Sequence, residues 1–125
     1  MASKRLQAYV ATALWSSTDN DEPMDHHYDI SHIHPDSLAK MEIEILRFFT
    51  VLDNVKIEDK SLLDIALEYQ NEDQICHDLW LTRNRHGAGF WDGDYGEYGD
   101  RLTTIAHFLS ECDLYVGNDG MIHLA

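Results

Sequence analysis

Between Leu38 and Leu52 the apolar side chains Leu38, Met41, Ile45, Phe48, Phe49 and Leu52 return every three or four residues, with Lys40, Glu42, Glu44 and Arg47 among them. That period is the turn of an α-helix, and it gathers the six apolar residues into one stripe that the rest of the chain must cover. Asp36 or Ser37 stands where a side-chain oxygen would cap the unpaired amides of the first turn. With 125 residues, 44% of them hydrophobic, the chain can build a core on this helix as one domain, residues 1–125, without disulfide or metal staples.

Neighbouring segments supply the covering layer. Leu6, Tyr9, Val10, Ala13 and Leu14 are spaced for a helix over Lys4 to Trp15 behind a Ser3 cap, although Ala-Tyr-Val-Ala-Thr-Ala-Leu-Trp also alternates as a strand would. Leu62, Leu63, Ile65, Ala66 and Tyr69 predict a helix that starts at Lys60 or Ser61; Asn71 breaks it, and a further helical turn runs from Glu72 to His77. Asp78 to Thr82 loses the helical period and reads as a strand, which enters a glycine turn at Arg85 to Gly89 and returns as Phe90 to Asp92. Asp100 opens a helix to Cys112 with Leu102, Ile105, Ala106 and Leu109 inward. Leu114 to Val116 then pairs with Met121 to Leu124 across Asn118-Asp119-Gly120. The expected fold is α+β: two hairpins in a small antiparallel sheet, with about three to four helices packed on one face.

The stretch Trp80-Leu81-Thr82-Arg83-Asn84-Arg85-His86-Gly87-Ala88-Gly89-Phe90-Trp91-Asp92 resembles the W-L-T-R-N-x-H-G-x-G-F-W-D core of a family of small proteins from tailed bacteriophages and prophages. The likeness extends to Leu6–Trp15 with the acidic segment Asp19–Asp25 behind it, to Tyr28-Asp29-Ile30, and to Leu114-Tyr115-Val116-Gly117-Asn118-Asp119-Gly120. It implies a phage setting and action in the host cytoplasm, and it brings no established chemistry.

Charge narrows the partner. Lys and Arg number 9 against 23 Asp and Glu, a formal net charge of -14, which opposes approach to a phosphate backbone and disfavours direct nucleic-acid binding, so none is expected. No apolar run approaches the ~20 residues of a membrane span, and no signal-peptide pattern opens the chain, so neither membrane nor export is expected. Cys76 and Cys112 read as small buried residues of a reducing compartment, although their spacing permits a disulfide. Residues 16–35 carry Asp19, Asp21, Glu22, Asp25 and Asp29 with no Lys or Arg, plus His26, His27, His32 and His34, and read as a long exposed loop.

Two kinds of site follow. Arg83, Asn84, Arg85 and His86 set donors beside Gly87 and Gly89, where backbone amides could approach an anion or nucleotide; His86 as a base oriented by Asp92, with Arg83 stabilising charge, would be the enzymatic version. The competing explanation is that the glycines serve a turn, the aromatics a core, and Arg83 or Asn84 ties loop carbonyls. The four histidines of the loop offer nitrogens to a transition metal, but their spacing matches no established motif. Asp92, Asp94, Glu97 and Asp100 fail as a calcium loop because Glu97 occupies the glycine position. No cofactor is expected. The favoured reading is a non-enzymatic binding module, compatible with a homodimer. Asp19, Asp21, Glu22, Asp25, Asp29, Asp36, Glu58, Asp59, Asp92, Asp94 and Glu97 would face a basic surface of a host protein, mimicking a duplex as anti-restriction and anti-CRISPR proteins do.

Overall fold

The computed structural model describes residues 2–125. In chain order the elements are α1 (Lys4–Ser16), β1 (Thr18–Asp19), β2 (Glu22–Pro23), α2 (Pro35–Asn54), β3 (Lys56–Ile57), β4 (Lys60–Ser61), α3 (Leu62–Tyr69), α4 (Glu72–Arg83), α5 (Gly99–His107), β5 (Leu114–Val116) and β6 (Ile122–Leu124). Short 3-10 turns lie at Met24–His26, Ile30–His32 and Gly96–Tyr98. The fold is α+β, but its strands form separate antiparallel pairs, β1 with β2, β3 with β4 and β5 with β6, and no common sheet. The helices therefore pack on each other.

The stripe on α2 is buried as its spacing requires: Met41, Ile45, Phe48, Phe49 and Leu52 enter the core and Leu38 packs at its margin. The cap is neither Asp36 nor Ser37. His34 takes that place, its Nδ1 accepting the Asp36 amide at 3.1 Å, and Pro35 fills the first helical position, where a missing N–H costs nothing. Ser37 instead uses its hydroxyl to accept the Leu124 amide, which with the His34 N–H donating to Ile122 O docks the β5–β6 hairpin onto the start of α2. Replacing His34 by Ala should lower stability by about 1 kcal/mol in urea unfolding, whereas Asn, whose side-chain oxygen can take the same amide, should stay within a few tenths of the parent.

The main departure from expectation is at Asp78 to Thr82, which continues α4 to Arg83 instead of forming a strand; the hairpin with Phe90 to Asp92 therefore does not exist. The reason is position. Asn71 caps α4, and from Ile75 onward Ile75, Cys76, Asp78, Leu79, Trp80, Leu81, Thr82 and Arg83 are all buried, so the helix has no wet face there and shows no helical period. It lies along α1, where Tyr9 meets Trp80 edge-on at 5.4 Å between ring centres and Thr12 Oγ1 shares a hydrogen bond with His77 Nδ1 at 2.9 Å. α1 is a helix capped by Ser3, and its alternative as a strand is not realised.

After α4 the chain turns back across its own end. Phe90 stacks on Phe48 at 5.6 Å and meets Tyr95 at 5.2 Å, and its amide donates to Thr82 Oγ1 at 3.0 Å. This return requires glycine twice. A Cβ on Gly89, which sits at φ 152°, would strike the Thr82 hydroxyl, and one on Gly99 would come within 2.5 Å of the Phe90 carbonyl. α5 ends at His107, short of the expected Cys112, and Asp100 lies inside its first turn without capping it. The C-terminal hairpin forms as expected, with Leu114 opposite Leu124 and Val116 opposite Ile122.

Residues 16–35, expected as a long exposed loop, are tied down, with Ser16 ending α1 and Pro35 opening α2. Asn20 and Asp21 take left-handed conformations (φ 52° and 65°) in the β1–β2 turn, a geometry these two residue types tolerate. Met24 and Ile33 are each only 2% exposed and anchor the segment in the core, which leaves its polar side chains pointing outward.

Candidate functional site

Arg83 is 2% exposed and is spent inside the protein. Its Nε donates to Ser110 O at 2.9 Å, one terminal nitrogen to Leu109 O at 2.7 Å and the other to the Tyr9 hydroxyl at 3.1 Å. That last nitrogen also lies 2.8 Å from Glu44 Oε1, which closes a buried ion pair although Oε1 has no aligned hydrogen bond. Burial works against the guanidinium charge; the Tyr9 and Glu44 oxygens outweigh it and hold Arg83 above its ordinary value. Asn84 is spent in the same way, accepting the Cys112 amide at 2.7 Å and donating to Trp80 O at 3.1 Å. Together they clamp the end of α4 to residues 109–112, so neither offers the donors expected for an external anion.

The other residues of that expected site separate. Arg85 is exposed, held at φ 58° and 3.5 Å from Glu111. Gly87 and Gly89 make the turn, and the Gly89 amide donates to Asp92 at 3.3 Å. His86 lines a cleft of about 710 Å³ with Ser16, Trp80, Asn84 and Cys112, to which Asp92 does not contribute, so no base-and-orienter pair is assembled. Cys112 is a neighbour that no sequence signal placed there. Burial pushes its thiol up and disfavours the thiolate a nucleophile needs; Cys76, also free, is pushed up to about 12 by burial. Sequence reasoning also missed Asp78, buried in α4 and bonded to the Tyr95 hydroxyl at 2.6 Å.

Three of the four loop histidines serve structure, while His26 is exposed. His34 caps α2, His32 Nδ1 accepts the Asp29 amide at 3.0 Å, and His27 Nε2 lies 2.7 Å from Glu22. Among the described residues no group of three or more His, Cys, Asp or Glu side chains is arranged to hold a metal.

What the structure leaves facing solvent is carboxylate. Asp21, Glu22, Asp25, Asp29, Asp36, Glu58, Asp59, Asp92, Asp94 and Glu97 are exposed and Asp19 is half-exposed. Among the described residues, none of them has a Lys or Arg nitrogen within 4.0 Å; the Lys and Arg ion pairs go instead to Glu72, Glu68, Glu44 and Glu111, from Arg5, Lys60, Arg83 and Arg85. Their neighbours reinforce the charge. The His27 hydrogen bond holds Glu22 below its ordinary value, and the Ser31 hydroxyl and amide do the same for Asp29.

Five of these groups line two clefts. Glu58 and Asp59, with Glu97 from far along the chain, line one cleft of about 700 Å³ that also holds Glu68, Tyr98 and the basic Lys60 and Arg101. Asp25 and Asp29 rim a second groove, of about 570 Å³, against α1. Comparison of the chain with protein-family models, curated proteins and solved structures gives no match.

Proposed function

We propose that this chain is a non-enzymatic, phage-encoded binding module whose carboxylate surface engages a basic surface of a host protein, most directly a nucleic-acid-binding defence factor that it blocks as a duplex mimic. The reading is supported above all by the carboxylates of residues 19–36, 58–59 and 92–97, which turn much of the acidic excess of a chain with net charge -14 outward, without Lys or Arg ion-pair partners among the described residues. Unneutralised charge of one sign attracts a basic cleft over a Debye length and competes there with DNA or RNA. The spent donors of Arg83 and Asn84 remove the main support for the ligand-binding or enzymatic alternative. In this reading the glycine and tryptophan stretch is the rigid platform. No described helix is long and apolar enough to cross a membrane.

The test is capture of the partner with the tagged chain in host cells, followed by binding kinetics. Charge reversal at Asp19, Asp21, Glu22 and Asp25 should slow association roughly tenfold or more and leave the melting temperature nearly unchanged; added salt should have the same kinetic effect. A partner that binds equally well at low and high salt, or that covers a surface without these carboxylates, refutes the mimicry.

A further inference from the structure

We propose that the groove between α1 and residues 25–30 is a docking slot for an amphipathic, basic segment of the partner protein. Apolar side chains of that segment would enter the groove while its Lys or Arg side chains meet the acidic rim. The inference rests on the proposed function and specifies the chemistry of the partner. Ala2, Val10, Ala11, Leu14, Tyr28 and Ile30 give the groove an apolar lining, in contrast to the polar cleft beside Glu58. Val10 and Leu14 form its nearly covered floor, and Ala11 is open to solvent.

The rim selects the occupant. Asp25 and Asp29 stand on one wall, with Asp21 and Glu22 just before them in the chain, and no Lys or Arg belongs to the groove. Asp29 is fixed by accepting the Ser31 amide at 2.9 Å and is held ionised by that contact and by the Ser31 hydroxyl. A fatty acid or an anionic membrane surface would be repelled by this rim, whereas a helix or strand with leucine-like residues along one edge and cations along the next is complementary in both respects. Docking of this kind would add an apolar anchor to an otherwise long-range electrostatic attraction, which slows dissociation as well as hastening encounter.

The test titrates the whole protein with a short amphipathic Leu/Lys peptide and with a Ser/Lys peptide of equal charge. The Leu/Lys peptide should bind roughly tenfold or more tightly than its Ser/Lys counterpart. Ala11→Glu, at an exposed helical position where folding is checked by circular dichroism, adds negative charge yet puts a carboxylate on the apolar lining. It should weaken the Leu/Lys peptide roughly tenfold or more and leave the Ser/Lys peptide unchanged or tighter. Asp25→Lys should weaken both. Equal affinity for the two peptides overturns the groove while leaving a purely electrostatic partner in place. Leu/Lys binding that Ala11→Glu leaves unchanged or tightens also overturns it, since the peptide would then sit elsewhere, for example on the exposed Ile43 and Leu46 of α2. Absence of binding by either peptide overturns it too, and salt-sensitive capture of the host partner then shows independently whether the proposed function stands.

Discussion

Replacement of Arg83 by Ala is expected to cost about 3–5 kcal/mol in urea unfolding, the loss that follows from leaving a buried charge without its partner. The Glu44 carboxylate is nearly covered and already lacks an aligned hydrogen bond at Oε1, so it cannot turn to water for compensation. The same substitution frees the carbonyls of Leu109 and Ser110 and detaches the 109–112 segment from α4. Arg83→Lys should recover little, because an ammonium cannot serve two carbonyls, a hydroxyl and a carboxylate in the directions of the guanidinium fork. Glu44→Gln in the Arg83→Ala background should return part of the loss by removing the stranded charge. Phosphate should not change the unfolding midpoint of the parent through this residue, since Arg83 is buried and all three of its nitrogens are engaged by protein groups; a midpoint that rises with phosphate in the parent and not in Arg83→Ala would restore Arg83 as an anion site.

A second large effect is expected at the buried pair of Asp78 and Tyr95. Burial raises Asp78 above its ordinary value, in spite of the Tyr95 hydroxyl at 2.6 Å and the Gln74 amide at 3.2 Å, and it raises Tyr95 as well, so that the phenol keeps its proton and donates. The native state therefore binds the Asp78 proton more tightly than the unfolded chain. The stabilisation from that proton is complete below the ordinary carboxylate range and is lost as pH rises through the raised native value. At neutral pH the ionised Asp78 thus depends on its hydrogen bonds, and Tyr95→Phe should cost about 1.5–3 kcal/mol there, with a smaller loss in acid. Asp78→Asn keeps an oxygen for the Tyr95 hydroxyl and removes the buried charge. It should stabilise the protein at neutral pH, with a gain that shrinks as pH falls, and melting curves across that range would show it. A gain independent of pH would mean that Asp78 is not the titrating group.

Both predictions concern the motif stretch and the elements that close around it, and both assign it to holding the fold together. This division of labour keeps Trp80, Leu81, Thr82, Arg83 and Phe90 of the motif inside and leaves the acidic segments on the surface. Residues 17–34 illustrate it. Met24 and Ile33 anchor the segment, local histidine and serine contacts shape it, and the carboxylates are displayed on a backbone that is already ordered. A partner would then have little ordering entropy to overcome at that surface.

What could be read from the chain alone was whatever depends on near neighbours. The stripe on α2, the Ser3 cap, the helix start at Ser61, the break at Asn71 and the Asn118-Asp119-Gly120 turn are local matters of period, side-chain reach and backbone freedom, and each is found where the residues put it. The acidity is a sum over residues and needs no fold. The α4 segment was illegible for a physical reason: a helix buried on every side carries no amphipathic period, so Leu79, Trp80 and Leu81 read as a strand. The role of Arg83 was open to two readings because nothing local distinguishes a guanidinium offered to a ligand from one bound to carbonyls 26 and 27 residues away. Only the packing of α4 against α1 and the 109–112 segment decides that, by covering the side chain. The same holds for the two clefts: charge was countable in the sequence, but which side chains share a cleft depends on long-range contacts, which bring Glu97 to the cleft of Glu58, Lys60 and Arg101 and set Asp29 against α1.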